Sequence, residues 1–209
     1  VNIPLLLPFR VFRAEKQNET EYFRTPGLEK KDKMEVKLQE AKDSIRDVID
    51  FPKKGIVFKD ITTMLKDEKH LATLVDTLYN QYKDKGITKV VGLESRGFIL
   101  GTVLAYRLGA GFVPVRKPGK LPSPTYSEKY SLEYGEDEIF IHQDALDSND
   151  VVLLHDDLLA TGGTAKASIN LLNKFNLKNV YVNFLIELDF LKGREKLDTY
   201  YDVDSVFHF

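Results

Sequence analysis

Val151-Val-Leu-Leu-His-Asp-Asp-Leu-Leu-Ala-Thr-Gly-Gly-Thr164 carries more of the fold than any other stretch of this 209-residue sequence. Its four opening apolar residues, Val151 to Leu154, read as a strand buried on both faces, the kind found inside a parallel sheet. Asp156 and Asp157 then stand at the strand's carboxyl end, where α/β sheets take their ligands. Thr161-Gly-Gly-Thr164 follows, ahead of a helix read to about Phe175. Glycines there permit a tight turn and close backbone approach, leaving amides and hydroxyls aimed at a phosphate over the helix N-terminus. Adjacent carboxylates repel a phosphate, so their partner is another part of the ligand. Ribose hydroxyls, with a magnesium ion nearby, suit them. Without a ligand the array is a buried strand, an N-cap pair and a glycine turn. Two unpaired carboxylates at a buried strand end would then be costly.

Outward from this stretch the same alternation repeats. Lys89–Leu93 and Phe112–Val115 read as strands, Gly97–Leu108 as a helix, and Asn179–Ile186 as a further strand that closes the series. Leu71, Leu74, Val75, Leu78, Tyr79 and Tyr82 form one helical stripe, with Asp67 placed to cap it. Ala41, Ile45, Val48 and Ile49 suggest an earlier helix, ended at Phe51-Pro52 because the residue before proline is pushed out of the helical region. Residues 116–137 hold Pro118, Gly119, Pro122, Pro124 and Gly135, so they read as one long loop, functional or mobile. The expectation is an α/β fold with a mostly parallel central sheet flanked by helices.

Composition narrows the function classes. The 30 basic and 32 acidic residues leave a formal charge of −2, against a broad nucleic-acid-binding face but compatible with a small cationic pocket. With no cysteine, disulfide scaffolds, thiol catalysis, iron–sulfur clusters and cysteine zinc sites are all excluded. His70, His142, His155 and His208 show no metal-ligand spacing. No apolar run is long enough to span a bilayer, and a cytoplasmic location is expected. Residues 1–33 are expected to form an N-terminal arm on the body or on a neighbouring subunit. The arginines and apolar residues of 1–13 also fit a targeting remnant, although Pro4 and Pro8 interrupt any long amphipathic helix there.

The Val151–Thr164 stretch resembles the phosphoribosyl-pyrophosphate-binding motif of the type I phosphoribosyltransferases. Four stretches upstream, Phe51-Pro-Lys-Lys-Gly-Ile-Val-Phe-Lys-Asp-Ile-Thr62, Gly92-Leu-Glu-Ser-Arg-Gly-Phe98, Val115-Arg-Lys-Pro-Gly-Lys-Leu-Pro122 and Tyr130-Ser-Leu-Glu-Tyr-Gly135, look like adenine phosphoribosyltransferase, as does Leu188-Asp-Phe-Leu-Lys-Gly-Arg-Glu-Lys-Leu197. The similarity runs in order over about residues 34–200. It implies the type I phosphoribosyltransferase fold over residues 34–209, with a small hood at about 34–65 and a flexible lid at about 116–137. It also implies a pentosyltransferase of purine salvage, joining adenine to phosphoribosyl pyrophosphate to give AMP and pyrophosphate. Magnesium would be bound mainly through the substrate. A homodimer is expected, with neither nucleic acid nor membrane as partner.

The same resemblance implies roles. Ala160, Thr161, Gly162, Gly163 and Thr164 would hold the 5′-phosphate, with Asp156 and Asp157 facing the ribose as positive charge builds on it. Glu94, Ser95 and Arg96 would grip pyrophosphate through a turn that in the family is often strained, helped by Arg116, Lys117 and Lys120. Lys120 reads equally well as a solvated surface charge. Glu133 occupies the position of the catalytic carboxylate that exchanges a proton with a purine ring nitrogen, with Tyr134 beside it in the lid. Lid closure would exclude water as a competing nucleophile. Val57, Phe58 and Lys59 would hold adenine, the ring stacking and the backbone reading its amino-bearing edge. Lys59, where arginine is commoner, then need not matter.

Two features depart from the family pattern. His155 replaces an apolar residue, and reads as a core histidine bonded to a neighbouring element or as a group tuning Asp156 or a neighbouring subunit. Ser127-Glu-Lys129 makes a more polar loop tip. A phosphoribosyltransferase for a 6-oxopurine would lack the hood and lid motifs. A non-catalytic regulatory domain would ordinarily carry a separate DNA-binding unit.

Overall fold

The computed structural model describes residues 26–131, 136–197 and 201–209. Helix α1 (Pro26–Asp43) leads into a two-stranded antiparallel hairpin, β1 (Arg46–Ile49) and β2 (Val57–Asp60), with Arg46 opposite Asp60 and Ile49 opposite Val57. A short helix α2 (Thr62–Leu65) and helix α3 (Glu68–Tyr82) follow. The chain then runs through β3 (Lys89–Leu93), helix α4 (Gly97–Leu108), β4 (Gly111–Val115), the antiparallel pair β5 (Thr125–Ser131) and β6 (Glu136–His142), β7 (Val151–Leu159), helix α5 (Gly163–Leu172), β8 (Asn179–Glu187) and β9 (Asp202–His208). Strand order is β4-β3-β7-β8-β9, all parallel, with β5-β6 a separate pair.

The apolar run of β7 exists because both faces of the sheet are covered. Val152 and Leu154 enter one core cluster with α5, β8 and the β5–β6 pair. Val151 and Leu153 enter the other, with α3 and α4. Asp67 caps α3 as expected, its carboxylate accepting from the amides of Lys69 and His70 at 2.8 and 3.1 Å. Among the described residues, no helix is long and apolar enough to cross a membrane.

The expected N-terminal boundary at 34 lies within α1. Three expectations are corrected. The stripe Ala41, Ile45, Val48, Ile49 is not one helix: Ser44 closes α1 by donating to the carbonyl of Ala41 at 2.7 Å, and Val48 and Ile49 are strand residues, Ile49 being 75% exposed. Residues 116–137 are not a continuous loop. The prolines and Gly119 all precede Thr125, and the following residues pair strand to strand, Thr125 with His142 through Ser131 with Glu136. That hairpin lies on α5, with the Tyr126 and Phe175 rings 5.3 Å apart and Lys174 3.1 Å from Glu128. Finally, the sheet does not close at β8. β9 adds an edge strand in parallel, Tyr181 opposite Asp202 and Glu187 opposite His208.

Candidate active site

From β3 the chain runs to β4 on one side, while β7 lies on the other, so the connections diverge between β3 and β7. In open α/β sheets, such a switch point leaves a crevice at the carboxyl ends. Here β3 pairs with β7 only as far as Gly92 opposite His155, whereas β7 continues along β8 to Leu159 opposite Glu187. Asp156 and Asp157 are therefore inside the extended strand rather than beyond it. On the β3 side they face the crevice.

The turn after β3 supplies the counter-charge. Arg96 reaches across the crevice, its Nε 2.9 Å from Asp157 Oδ2, and its guanidinium lies 5.0 Å from the centre of the Phe58 ring. The Glu94–Ser95 peptide bond is cis. A cavity of about 200 Å³ is lined by Arg96, Asp156, Asp157 and the whole run Leu158–Ala165. Within it Gly162 takes a left-handed φ of +79° at the N-cap of α5. No side chain caps that helix end, and its first turn has no acidic residue, so its leading amides are available to an anion.

The electrostatics suit a ligand with both negative and electron-poor parts. Burial pushes the Asp156 carboxyl well above the ordinary carboxylate range, and the adjacent charge of Asp157 adds to that. Burial raises Asp157 too, but Arg96 opposes it. Glu94 goes the other way: Arg116 Nε at 2.9 Å and the Lys117 amide at 2.8 Å hold it below its usual value.

Of the residues expected from sequence, Arg96, Asp156, Asp157, Ala160, Thr161, Gly162, Gly163 and Thr164 are brought together around one cavity. Phe58 joins them through Arg96. Glu94, Arg116 and Lys117 form an adjoining cluster in which Lys117 is turned toward Asp137 and Tyr130 of the β5–β6 pair. Ser95, Lys120 and Val57 are exposed. Lys59 points away from the crevice, 2.7 Å from Asp47. Glu133 and Tyr134 lie outside the described residues. Sequence reading missed Gly193, whose backbone packs on Gly162, and Asp137, the partner of Lys117. Gly193 sits inside a quoted family stretch, but no spacing rule joins it to the cradle.

His155 is fully buried and bonded to the next strand, its Nδ1 2.9 Å from Asn183 Oδ1, which is the core-histidine reading. Burial, only partly offset by Asn183, lowers its pKa from 6.5 to about 4. Above pH 6.5 the ring is neutral whether folded or not. Between that pH and about 4 the unfolded chain takes up a proton that the folded chain refuses, so stability falls by about 3 kcal/mol over that window. Denaturant unfolding at stepped pH should show this decline in the wild type and a shallower one in His155→Val. The variant should also keep its turnover, since the ring does not face the cavity. A large loss of turnover would return His155 to the tuning role.

The sequence matches the model of the phosphoribosyl transferase domain over residues 59–208. An adenine phosphoribosyltransferase of Bacteroides fragilis is 62% identical over 161 residues, covering 77% of this chain and 90% of that protein. The crystal structure of the adenine phosphoribosyltransferase from Rhodothermus marinus superposes with a TM-score of 0.80 at 49% identity, covering 84% of this chain and 99% of that one. That of Saccharomyces cerevisiae, complexed with an imino-altritol bisphosphate and adenine, gives a TM-score of 0.77 at 38% identity, covering 82% and 99%.

Proposed function

The chain belongs to the adenine phosphoribosyltransferases of the phosphoribosyl transferase family, and on that premise we propose how its residues divide the reaction. The activity itself is transfer of the phosphoribosyl group of phosphoribosyl pyrophosphate to adenine, giving AMP and pyrophosphate. The observation that carries the division of roles is the single cavity shared by Asp156, Asp157, Arg96 and the Ala160–Thr164 cradle.

The cradle takes the 5′-phosphate on its amides and hydroxyls. The ribose then lies over Asp156 and Asp157, with the anomeric carbon toward Phe58. As the bond from that carbon to pyrophosphate breaks, its electron pair leaves with the pyrophosphate oxygen and the sugar becomes cation-like. The two acids favour that charge more than they favour the neutral ground state, which is the condition for raising turnover. Adenine, stacked on Phe58 with its amino-bearing edge read by the backbone of Val57 to Lys59, supplies the ring nitrogen that forms the new bond. Glu133 exchanges the proton on the purine ring, with Tyr134 beside it.

Arg116 and Lys117 are paired with Glu94 and Asp137, so a pyrophosphate reaches these cations by exchange of one anionic partner for another. Ser95 and its neighbouring amides complete that grip, and Lys120 adds charge at its rim. The hard oxygens of Asp156 and Asp157, beside those of the substrate, form a donor set that fits magnesium. The ion supplies charge neutralisation on the leaving pyrophosphate and would be held mainly through the substrate.

The β5–β6 pair with its flanks forms the lid. A homodimer in the cytoplasm completes the reading. Ile99 and Tyr106, seven positions apart on α4 and 46% and 85% exposed, offer an apolar face for a second copy.

The test is AMP formation from phosphoribosyl pyrophosphate and magnesium, comparing adenine, hypoxanthine and guanine, alongside Glu133→Gln. A site that pairs with the 6-amino group should turn over 6-oxopurines at least about 10²-fold more slowly. Loss of the lid carboxylate should lower turnover by about 10²-fold. Full activity in Glu133→Gln would remove that residue from the chemistry. Binding of phosphoribosyl pyrophosphate with no turnover on any base would favour a regulatory domain.

A further inference from the structure

The hood hairpin has no backbone ladder to the central sheet: β1 and β2 form a two-stranded sheet of their own. Isolated hairpins are marginal, so its position over the cavity depends on side chains that tie it down. Successive strand residues point to opposite faces, and β2 is gripped on both. On the cavity side Arg96 lies against Phe58. On the other side Lys59, held by Asp47 at 2.7 Å, places its Nζ over the ring of Phe209 at 4.1 Å. Lys42 of α1 places its own Nζ over the same ring at 4.7 Å.

Phe209 is itself fixed to the sheet. Its amide donates to the Glu187 carbonyl at 3.0 Å, and its carbonyl accepts from the Asp189 amide at 2.9 Å. The ring is therefore a platform at the end of β8, clasped by two cations that belong to the hood and its leading helix. Ammonium groups are drawn to an aromatic face by its quadrupole, more strongly where water is partly excluded. Lys59 is 16% exposed at its side chain.

We propose that Phe209 is a positioning residue for the base: by clasping Lys59 and Lys42 it sets the height of β2 over the sheet, and so the gap in which adenine stacks on Phe58. The inference rests on the reading of Phe58 as the adenine platform. It assigns a role in base binding to a residue outside the cavity, and it explains how a lysine at position 59 contributes without touching the purine.

The test is steady-state kinetics with adenine and phosphoribosyl pyrophosphate varied separately, together with thermal unfolding. Phe209→Leu keeps an apolar body but loses the aromatic face. Its KM for adenine should rise about tenfold, while kcat and the KM for phosphoribosyl pyrophosphate stay within about twofold. Phe209→Tyr should restore the wild-type adenine KM. If Phe209→Leu does not fold, the double variant Lys42→Met/Lys59→Met removes the cations, keeps the ring and should give the same selective rise. An unchanged adenine KM, or an equal rise in both KM values, overturns the proposal. Phe58→Ala separates the two levels: if it leaves the adenine KM unmoved, the platform reading fails and the proposal with it. If Phe58→Ala raises the adenine KM but Phe209→Leu does not, only the proposal fails.

Discussion

Asp156→Asn/Asp157→Asn should turn over adenine on the order of 10⁴-fold more slowly than the wild type, with each single variant losing about 10²–10³-fold. Both substitutions are nearly isosteric, so the cavity keeps its shape and the cradle its amides. What disappears is negative potential at the sugar. The acids stand in a buried crevice where Asp157 disfavours the charge on Asp156, which is raised far above its ordinary range by burial first and by Asp157 second. A cation-like anomeric carbon relieves that repulsion. A neutral sugar does not. Stabilisation confined to the transition state should lower kcat and kcat/KM by the same factor, leaving the KM for phosphoribosyl pyrophosphate nearly unchanged.

The single variants should differ. Asp157 neutralises Arg96 at 2.9 Å, so Asp157→Asn leaves a cation beside the sugar that opposes the developing charge. It should be the worse of the two. Burial raises both carboxyls, Asp156 the further, so the acid limb of the kcat/KM profile should lie above the ordinary carboxylate range and move back toward it in Asp156→Asn. A rise in substrate KM with kcat intact would show that the acids bind the ground state and would sink the proposed role.

The central sheet was legible because its strands are buried on both faces, which leaves apolar runs such as Val151–Leu154 that composition alone exposes. Elements with one wet face were harder. Ile45, Val48 and Ile49 fit a helical spacing, but a four-residue strand is too short for its own period to compete. β9 contains Asp202, Asp204 and Ser205 and buries only Phe207, so its edge position hides it from a hydrophobicity reading. In the β5–β6 region the breakers are concentrated before Thr125, and their density masks the strand pair that follows. The site followed the same logic. Its contiguous half, Asp156 to Thr164, could be read along the chain. Arg96 against Asp157 and Phe209 against Lys59 could not, because the partners are far apart in sequence and meet only when the sheet assembles.

Gly193→Ala is the strongest case of that kind, and it should reduce affinity for phosphoribosyl pyrophosphate by about 10³-fold or more, although Gly193 lies outside the motif that binds the phosphate. A Cβ at Gly193 would sit 2.1 Å from the carbonyl oxygen of Ala160 and 2.9 Å from the amide nitrogen of Gly162, while one at Gly162 would sit 2.3 Å from the carbonyl oxygen of Gly193. Every atom in these encounters is backbone, so no side chain can swing aside. Gly193 opens a short 3₁₀ turn, Gly193–Lys196, and the turn cannot retreat easily. Its Arg194 holds the buried carboxylate of Glu187 through two bonds, at 2.9 and 2.5 Å, and Ser205 donates to that carboxylate at 2.7 Å. The displacement must then fall on Ala160 and Gly162, and the amides that should face the 5′-phosphate lose their aim. Equilibrium binding of phosphoribosyl pyrophosphate, measured alongside thermal unfolding, checks this. Gly109→Ala is the control: Gly109 also has a positive φ, +67°, but nothing within 4 Å of its Cβ position. That variant should lose about 1 kcal/mol of stability from backbone strain and keep its affinity for phosphoribosyl pyrophosphate. If Gly193→Ala binds as tightly as the wild type, either the turn yields or the phosphate does not rest on Gly162. A structure of the variant would tell which, because only in the first case does the Arg194–Glu187 pair come apart.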